Sequence, residues 1–154
     1  VGRVEMPMTF RRGWIAALVA GFSVSCGAAV GPADEVEGTY AGLLSVIGED
    51  QRPGFQVRLN ALDGNTLLWN NFDAVVNLGC PAVRLSVGRS GQTYTLGTTT
   101  REPCRLDGQV SGSITAISGT LDGVGLTLSI GVVVGDVNAG STQQKFATFT
   151  APPL

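Results

Sequence analysis

The side chains that could do chemistry in this chain are few, and histidine is not among them. The 154 residues include three cysteines, twelve acidic residues, ten basic residues and no histidine. Without histidine, Ser-His-Asp and Cys-His catalysis, histidine general bases and histidine metal ligands are all excluded. We therefore expect a protein that is not an enzyme and that carries no metal and no cofactor.

The three cysteines divide into a single residue, Cys26, and a pair, Cys80 and Cys104. An odd number leaves one thiol unpaired in an exported protein. If Cys26 is lipidated or removed, the other two remain, and an oxidising compartment favours a disulfide between them. A catalytic or metal-binding thiol is the competing interpretation, but the chain has no histidine and no C-x-x-C spacing. We expect a structural disulfide between Cys80 and Cys104.

The first 26 residues have the composition of a signal peptide. Arg11 and Arg12 precede an almost entirely apolar run over residues 14–25. A basic segment followed by 7–15 apolar residues is typical of a secretory signal. The run is shorter than the roughly 20 residues that a membrane-spanning helix needs. The sequence predicts export, with residues 1–26 as the signal peptide and residues 27–37 as a flexible tether.

Cys26 closes the apolar run and is followed by small residues, Gly27-Ala28-Ala29. This arrangement resembles the lipobox of bacterial lipoproteins, in which the cysteine is lipidated and becomes the mature N-terminus. Val24 and Ser25 match the two positions before the cysteine, whereas Ser23 stands where the family usually has an aliphatic residue. The resemblance implies a lipid on Cys26, the membrane as a partner through that lipid, and an outer-membrane or surface location in the cell envelope.

Two other export routes fit the same segment. Ordinary signal cleavage after Ala29 would discard Cys26 and leave a periplasmic or secreted protein. Residues 11–15, Arg-Arg-Gly-Trp-Ile, also resemble part of a twin-arginine signal, with Trp14 in place of phenylalanine.

Aromatic and amide side chains cluster between Trp69 and Asp73. Trp69 and Phe72 could stack on a sugar or another apolar ligand, or they could fill a core beside a β-bulge. Tyr40, Arg101 and Arg105 complete the candidate ligand-binding set; the two arginines flank Cys104 and could hold an anion or serve as rim charges.

Carboxylates are the remaining candidates for acid–base work or for binding calcium. Glu49 and Asp50 are adjacent to each other, and Asp73 follows the aromatic cluster, but none has the D-x-D-x-D-G spacing of a calcium loop. A solvated turn explains Glu49 and Asp50 more simply. An enzyme with a carboxylate-based site is the least favoured alternative.

The overall charge excludes one class of partner. The formal net charge is −2, with the basic residues spread along the chain. Proteins that bind nucleic acid usually carry a basic patch, so we expect no nucleic-acid partner.

The elements that must position these residues are β-strands. From Gly38 onward apolar and polar residues alternate, and Asp-Gly and Ser-Gly turns separate the runs. The pattern predicts an all-β fold, a single antiparallel domain over residues 38–154. Its eight expected strands are 38–47, 55–62, 66–78 with a bend near residues 70–71, 83–88, 92–99, 109–118, 125–134 and 143–150.

Eight short-linked strands favour an up-and-down barrel, with a β-sandwich as the alternative. Gly38-Thr39-Tyr40 faintly resembles the G-x-W motif of the lipocalins, with Tyr40 in the tryptophan position. The C-terminal arginine of that family is absent, and Lys145 is the nearest cation. The resemblance implies a calycin-like barrel and, as an alternative function, binding of a small apolar ligand inside it.

The meander also predicts which loops lie together. Cys80 falls in the link between the third and fourth expected strands, and Cys104 in the link between the fifth and sixth. Both links lie at the same end of an up-and-down barrel, as a disulfide requires. From the sequence we therefore expect an exported, lipid-anchored envelope β-domain with a non-catalytic structural or interaction role.

Overall fold

The structure is a computed structural model, and it describes residues 30–98, 102–135 and 140–154. Nine strands and two short helices make up these residues. In chain order they are α1 (Pro32–Val36), β1 (Gly38–Val46), β2 (Arg52–Asp63), β3 (Thr66–Trp69), α2 (Asp73–Val76), β4 (Val83–Ser90), β5 (Thr93–Thr98), β6 (Pro103–Leu106), β7 (Gln109–Leu121), β8 (Leu126–Val134) and β9 (Gln143–Ala151).

Eight of the strands form a closed, antiparallel, up-and-down barrel. Each strand pairs with its neighbour in sequence, except that β5 pairs with β7, and β9 returns to pair with β1. The strand outside the barrel is β6. It pairs with the first part of β7, while β5 pairs with the last part of β7. The predicted all-β fold and barrel are confirmed, and the single closed sheet rules out the β-sandwich.

The barrel has two different ends. The tight-turn end carries the short links at residues 64–65, 91–92 and 122–125, together with the beginning of β1 and the end of β9. The disulfide end carries Cys80 and Cys104, whose Sγ atoms lie 1.99 Å apart and whose Cα atoms lie 4.0 Å apart. The paired cysteines and their placement at one end confirm the expectation drawn from the meander.

A short helix covers each end of the barrel. At the tight-turn end, Ala33 and Val36 of α1 are fully buried against the barrel. At the disulfide end, Phe72 and Val75 are fully buried as well. Phe72 directly precedes α2, and Val75 lies within it. The expectation of a flexible tether over residues 27–37 is therefore wrong for residues 32–36, because two apolar side chains bind this segment to the barrel.

Two further expectations need correction. The expected strand 66–78 ends at Trp69, and its second half forms a turn and α2, since Phe72 and Val75 follow a helical rather than an alternating spacing into the core. The strand β6 was not expected. It contains only four residues, of which Cys104 alone is buried, so it has too little alternation to be recognised.

The interior of the barrel is filled with side chains. The largest fully buried ones are Trp69, Tyr40, Phe72 and Phe149, packed among leucine, isoleucine and valine from the other barrel strands and alanine from β9. Inward residues alternate with outward ones along the barrel strands, most clearly in β4 and β9. An eight-stranded barrel has room for such a core or for one small ligand, and bulky residues occupy the space here.

Candidate functional site

Three of the residues expected to bind a ligand, Tyr40, Trp69 and Phe72, belong to this core. Each is at most 1% exposed. The rings of Trp69 and Phe72 meet edge to face, with centroids 5.1 Å apart. The indole Nε1 donates a 3.0 Å hydrogen bond to Asn71 Oδ1, which also accepts a bond from the Arg58 amide. A ligand could reach these rings only by displacing the protein groups that now contact them.

Tyr40 connects β1 to α1. Its hydroxyl donates a 2.7 Å hydrogen bond to the Val36 carbonyl oxygen. Burial, and secondarily the nearby Tyr94, raises the pKa of Tyr40 to about 12. The phenol therefore remains a neutral hydrogen-bond donor at any physiological pH, as a structural role requires.

The disulfide end, where a binding mouth was expected, is held together by several contacts. Asp73 Oδ1 accepts hydrogen bonds from the Leu78 and Cys80 amides, at 2.9 and 2.8 Å. The Arg105 amide donates to the Gly79 carbonyl at 3.1 Å. A Cβ atom on Gly79 would lie 2.0 Å from the Arg105 carbonyl oxygen, so only glycine permits this approach. These contacts join the 77–80 loop to β6 beside the disulfide.

Of the two arginines proposed for anion binding, Arg105 lies within the described residues and Arg101 does not. Arg105 is exposed on β6, next to the buried Cys104. Arg101 lies outside the described residues, as does Cys26, the predicted lipidation site. The expected pairing of two arginines around an anion is thus not tested by the geometry.

A small ion-pair cluster joins two links and one strand at the disulfide end. Glu49 lies 2.7 Å from Arg52 and 3.0 Å from Lys145, and Arg52 also donates to the Ala74 carbonyl of α2. Hydrogen bonds from Lys145 and then Arg52 lower the pKa of Glu49. This arrangement keeps the carboxylate ionised and ties the β1–β2 link to β9 and α2.

A second cluster fastens α1 at the tight-turn end. Glu35 accepts hydrogen bonds from Arg89 and from the hydroxyl of Tyr94, and the Arg89 guanidinium lies 5.4 Å from the centre of the Tyr94 ring. The hydrogen bond to Glu35 raises the pKa of Tyr94, and the neighbouring charge of Arg89 partly offsets that effect. The three side chains hold the helix across the barrel end.

One outward-facing aromatic ring was missed by the sequence reasoning. Phe146 of β9 is 49% exposed and lies directly across from Gly131 of β8. It borders a groove of about 330 Å³ on the outer wall, lined also by Ala116, Ser118 and Ser129. Such a surface can stack on an apolar group while hydroxyls hydrogen-bond to its polar atoms. The alternation could have revealed it, because Ala147 and Phe149 face inward.

Comparisons with protein-family models, with curated proteins and with solved structures find no match for this chain. Neither of the two helices in the described residues is long and apolar enough to cross a bilayer. Within the same residues, no three acidic or cysteine side chains come together as metal ligands would.

Proposed function

We propose that this chain is an exported cell-envelope protein, anchored by a lipid on Cys26, whose barrel has a non-catalytic structural or interaction role. The observation that carries the proposal is the pairing of Cys80 with Cys104. Disulfides persist in oxidising compartments, so the pair supports export. It also leaves Cys26, at the end of the apolar run, outside the Cys80–Cys104 bridge and so open to the proposed lipidation.

The carboxylates support a non-catalytic role. Asp73 and Glu49, the residues that a carboxylate-based enzyme would need, are engaged with backbone amides and with cations of the barrel. Their oxygens hold loops in place. Replacing Asp73 with asparagine is accordingly expected to loosen residues 77–80 rather than to abolish a turnover.

The packed interior favours this role over binding of a small apolar ligand. Trp69 is fully buried in the core, and short helices cover both barrel ends. Titration of the mature protein with lipophilic probes is expected to leave the emission of Trp69 unchanged. Saturable quenching or a spectral shift of Trp69 would instead favour the ligand-binding alternative.

The anchor itself is tested by Cys26→Ser in the full chain. This variant should move from the membrane to the soluble fraction and lose the mass of the lipid. Ser23→Leu is the matched control, because it brings the segment closer to the lipobox and should stay in the membrane with the lipid attached. Unchanged membrane association and unchanged mass in Cys26→Ser would rule out lipidation.

A further inference from the structure

The tight-turn end of the barrel exposes four aliphatic side chains. Val30 is 72%, Leu62 49%, Val124 87% and Leu154 74% exposed. Among the described residues, seven large hydrophobic side chains are exposed, so more than half of them lie at this end. They come from four separate segments: the chain before α1, the β2–β3 hairpin, the β7–β8 turn and the C-terminal segment after β9.

Contacts within the protein bring these four segments together at one barrel end. The Ala33 amide donates a 3.0 Å hydrogen bond to the Gly64 carbonyl, and a Cβ atom on Gly31 would lie 2.1 Å from the same oxygen. Val30 is therefore held next to the hairpin that carries Leu62. On the other side, Leu154 and the 121–123 turn line a common groove.

The length of chain before this end limits how far it can be from a lipid on Cys26. Three residues, 27–29, separate Cys26 from Val30. An extended chain spans at most 3.3–3.6 Å per residue, so the Cα atoms of Cys26 and Val30 are at most about 14 Å apart in any conformation. A lipidated Cys26 would therefore keep Val30, and with it the tight-turn end, within about 14 Å of the lipid attachment point and so close to the membrane surface.

We propose that the tight-turn end is a membrane-contact surface, on which Val30, Leu62, Val124 and Leu154 enter the interface of the bilayer that holds the lipid. This orientation rests on the proposed lipidation of Cys26. It leaves the disulfide end and its longer links directed away from the membrane.

The charges at this end specify the kind of surface. The acidic residues there outnumber the basic ones, and they are engaged within the protein: Asp34 with the Gly31 amide, Glu35 with Arg89, and Asp122 with the Val124 amide. An anionic leaflet attracts basic residues and disfavours acidic ones. The surface therefore fits a zwitterionic leaflet, which it contacts through apolar side chains.

The test places a tryptophan at each end of the lipidated, processed chain in phosphatidylcholine vesicles. Val124→Trp reports on the tight-turn end, and Ile47→Trp, at a position that is 72% exposed at the opposite end, is the matched control. Lipids brominated in their acyl chains should quench Val124→Trp and shift its emission to the blue. Ile47→Trp should be unaffected after the Trp69 signal of the parent protein has been subtracted.

The outcomes separate the two proposals. Lipidated protein that sediments with vesicles, but in which Val124→Trp is not quenched, would overturn the membrane contact alone. A mature chain without lipid by mass spectrometry would overturn the proposed function and this orientation with it. A blue shift of Val124→Trp that grows with protein concentration in the absence of vesicles would identify a second copy as the occupant and overturn the proposal.

Discussion

The hydroxyl of Tyr40 and the carbonyl of Val36 form a buried hydrogen bond of 2.7 Å between the first strand and the helix before it. Both residues are at most 1% exposed. A buried carbonyl without a partner costs about 1–3 kcal/mol. The bond therefore helps to keep α1 across the tight-turn end, together with the buried Ala33 and Val36 side chains.

Replacing Tyr40 with phenylalanine removes this bond and leaves the ring in place. We expect Tyr40→Phe to lower the free energy of unfolding by about 1–3 kcal/mol, because the Val36 carbonyl remains buried without a donor. Urea denaturation followed by circular dichroism measures the change. Tyr94→Phe is the control, since its hydroxyl lies at the surface on Glu35 and should matter less. Equal losses in the two variants would contradict the interpretation.

Alkaline pH should weaken the same contact. Burial is the main cause that raises the folded-state pKa of Tyr40 to about 12, from the ordinary tyrosine value of 10.0. The unfolded chain therefore releases this proton first, and stability falls as the pH rises from about 10 towards 12. One pKa unit corresponds to about 1.4 kcal/mol, so the loss should be on the order of 1–3 kcal/mol.

The measurement compares the pH dependence of unfolding with and without Tyr40→Phe, both in a Tyr94→Phe background that removes the second raised phenol. The variant without Tyr40 should show a smaller loss in this range. An identical decline in both proteins would assign the effect to other groups.

The barrel could be predicted because its signals are local. Alternation along strands such as β8, and Asp-Gly or Ser-Gly pairs between strands, depend on residues that are close in sequence. Antiparallel connectivity then determines which links share an end. The pairing of Cys80 with Cys104, 24 residues apart, was predicted from the cysteine count, and that connectivity predicted that both cysteines lie at one end.

The remaining elements depend on contacts that are distant in sequence. Helix α1 has five residues and is held by Glu35, which binds side chains 54 and 59 positions away. Strand β6 forms only because part of β7 extends beyond β5 and offers a free edge. The aromatic cluster at Trp69 was equally compatible with a ligand site and with a core, since composition does not distinguish an inward ring from an exposed one.

Loss of the disulfide should destabilise the barrel without unfolding it at room temperature. Chain entropy for a loop of this length predicts that Cys80→Ala/Cys104→Ala or reduction lowers stability by roughly 2–4 kcal/mol. Hydrogen exchange should increase most at residues 77–82 and 103–108, where the hydrogen bond between Arg105 and Gly79 would remain as a partial link. The protein with and without the disulfide is compared as the mature chain without lipid, so that the disulfide is the one difference between the samples. Quantitative thiol labelling of both cysteines in native, unreduced protein would contradict the disulfide.

The ion pairs of Glu49 should add little to the free energy of unfolding, and that contribution should depend on pH. Because Lys145 and Arg52 lower the pKa of Glu49, its contribution is present above the unfolded-state pKa and is lost as the pH falls through the folded-state value. Exposed ion pairs are worth about 0–1 kcal/mol. Glu49→Gln should therefore cause a small, salt-sensitive loss at pH 7 that disappears at low pH. Asp50→Asn removes the neighbouring exposed carboxylate and leaves the ion pairs of Glu49 in place, so it is the matched control.

Two phenylalanines on β9 provide a test of the inward and outward faces of the barrel. Phe149 is fully buried and meets Phe55 edge to face, with ring centroids 6.2 Å apart. Phe146 is half-exposed, and its ring covers Gly131 on the neighbouring strand. Truncation of a buried phenylalanine removes a large apolar volume and leaves a cavity, whereas truncation at the outer wall removes one partial contact.

We expect Phe149→Ala to lower the free energy of unfolding by about 3–5 kcal/mol. Phe146→Ala should lower it by about 1 kcal/mol or less, because surface changes away from core contacts are small. Both values come from the same denaturant titration of otherwise identical chains. A loss at Phe146 as large as that at Phe149 would mean that its ring supports the barrel. A small loss would show that the exposed ring contributes little to folding, since the inward residues of β9 supply the stability.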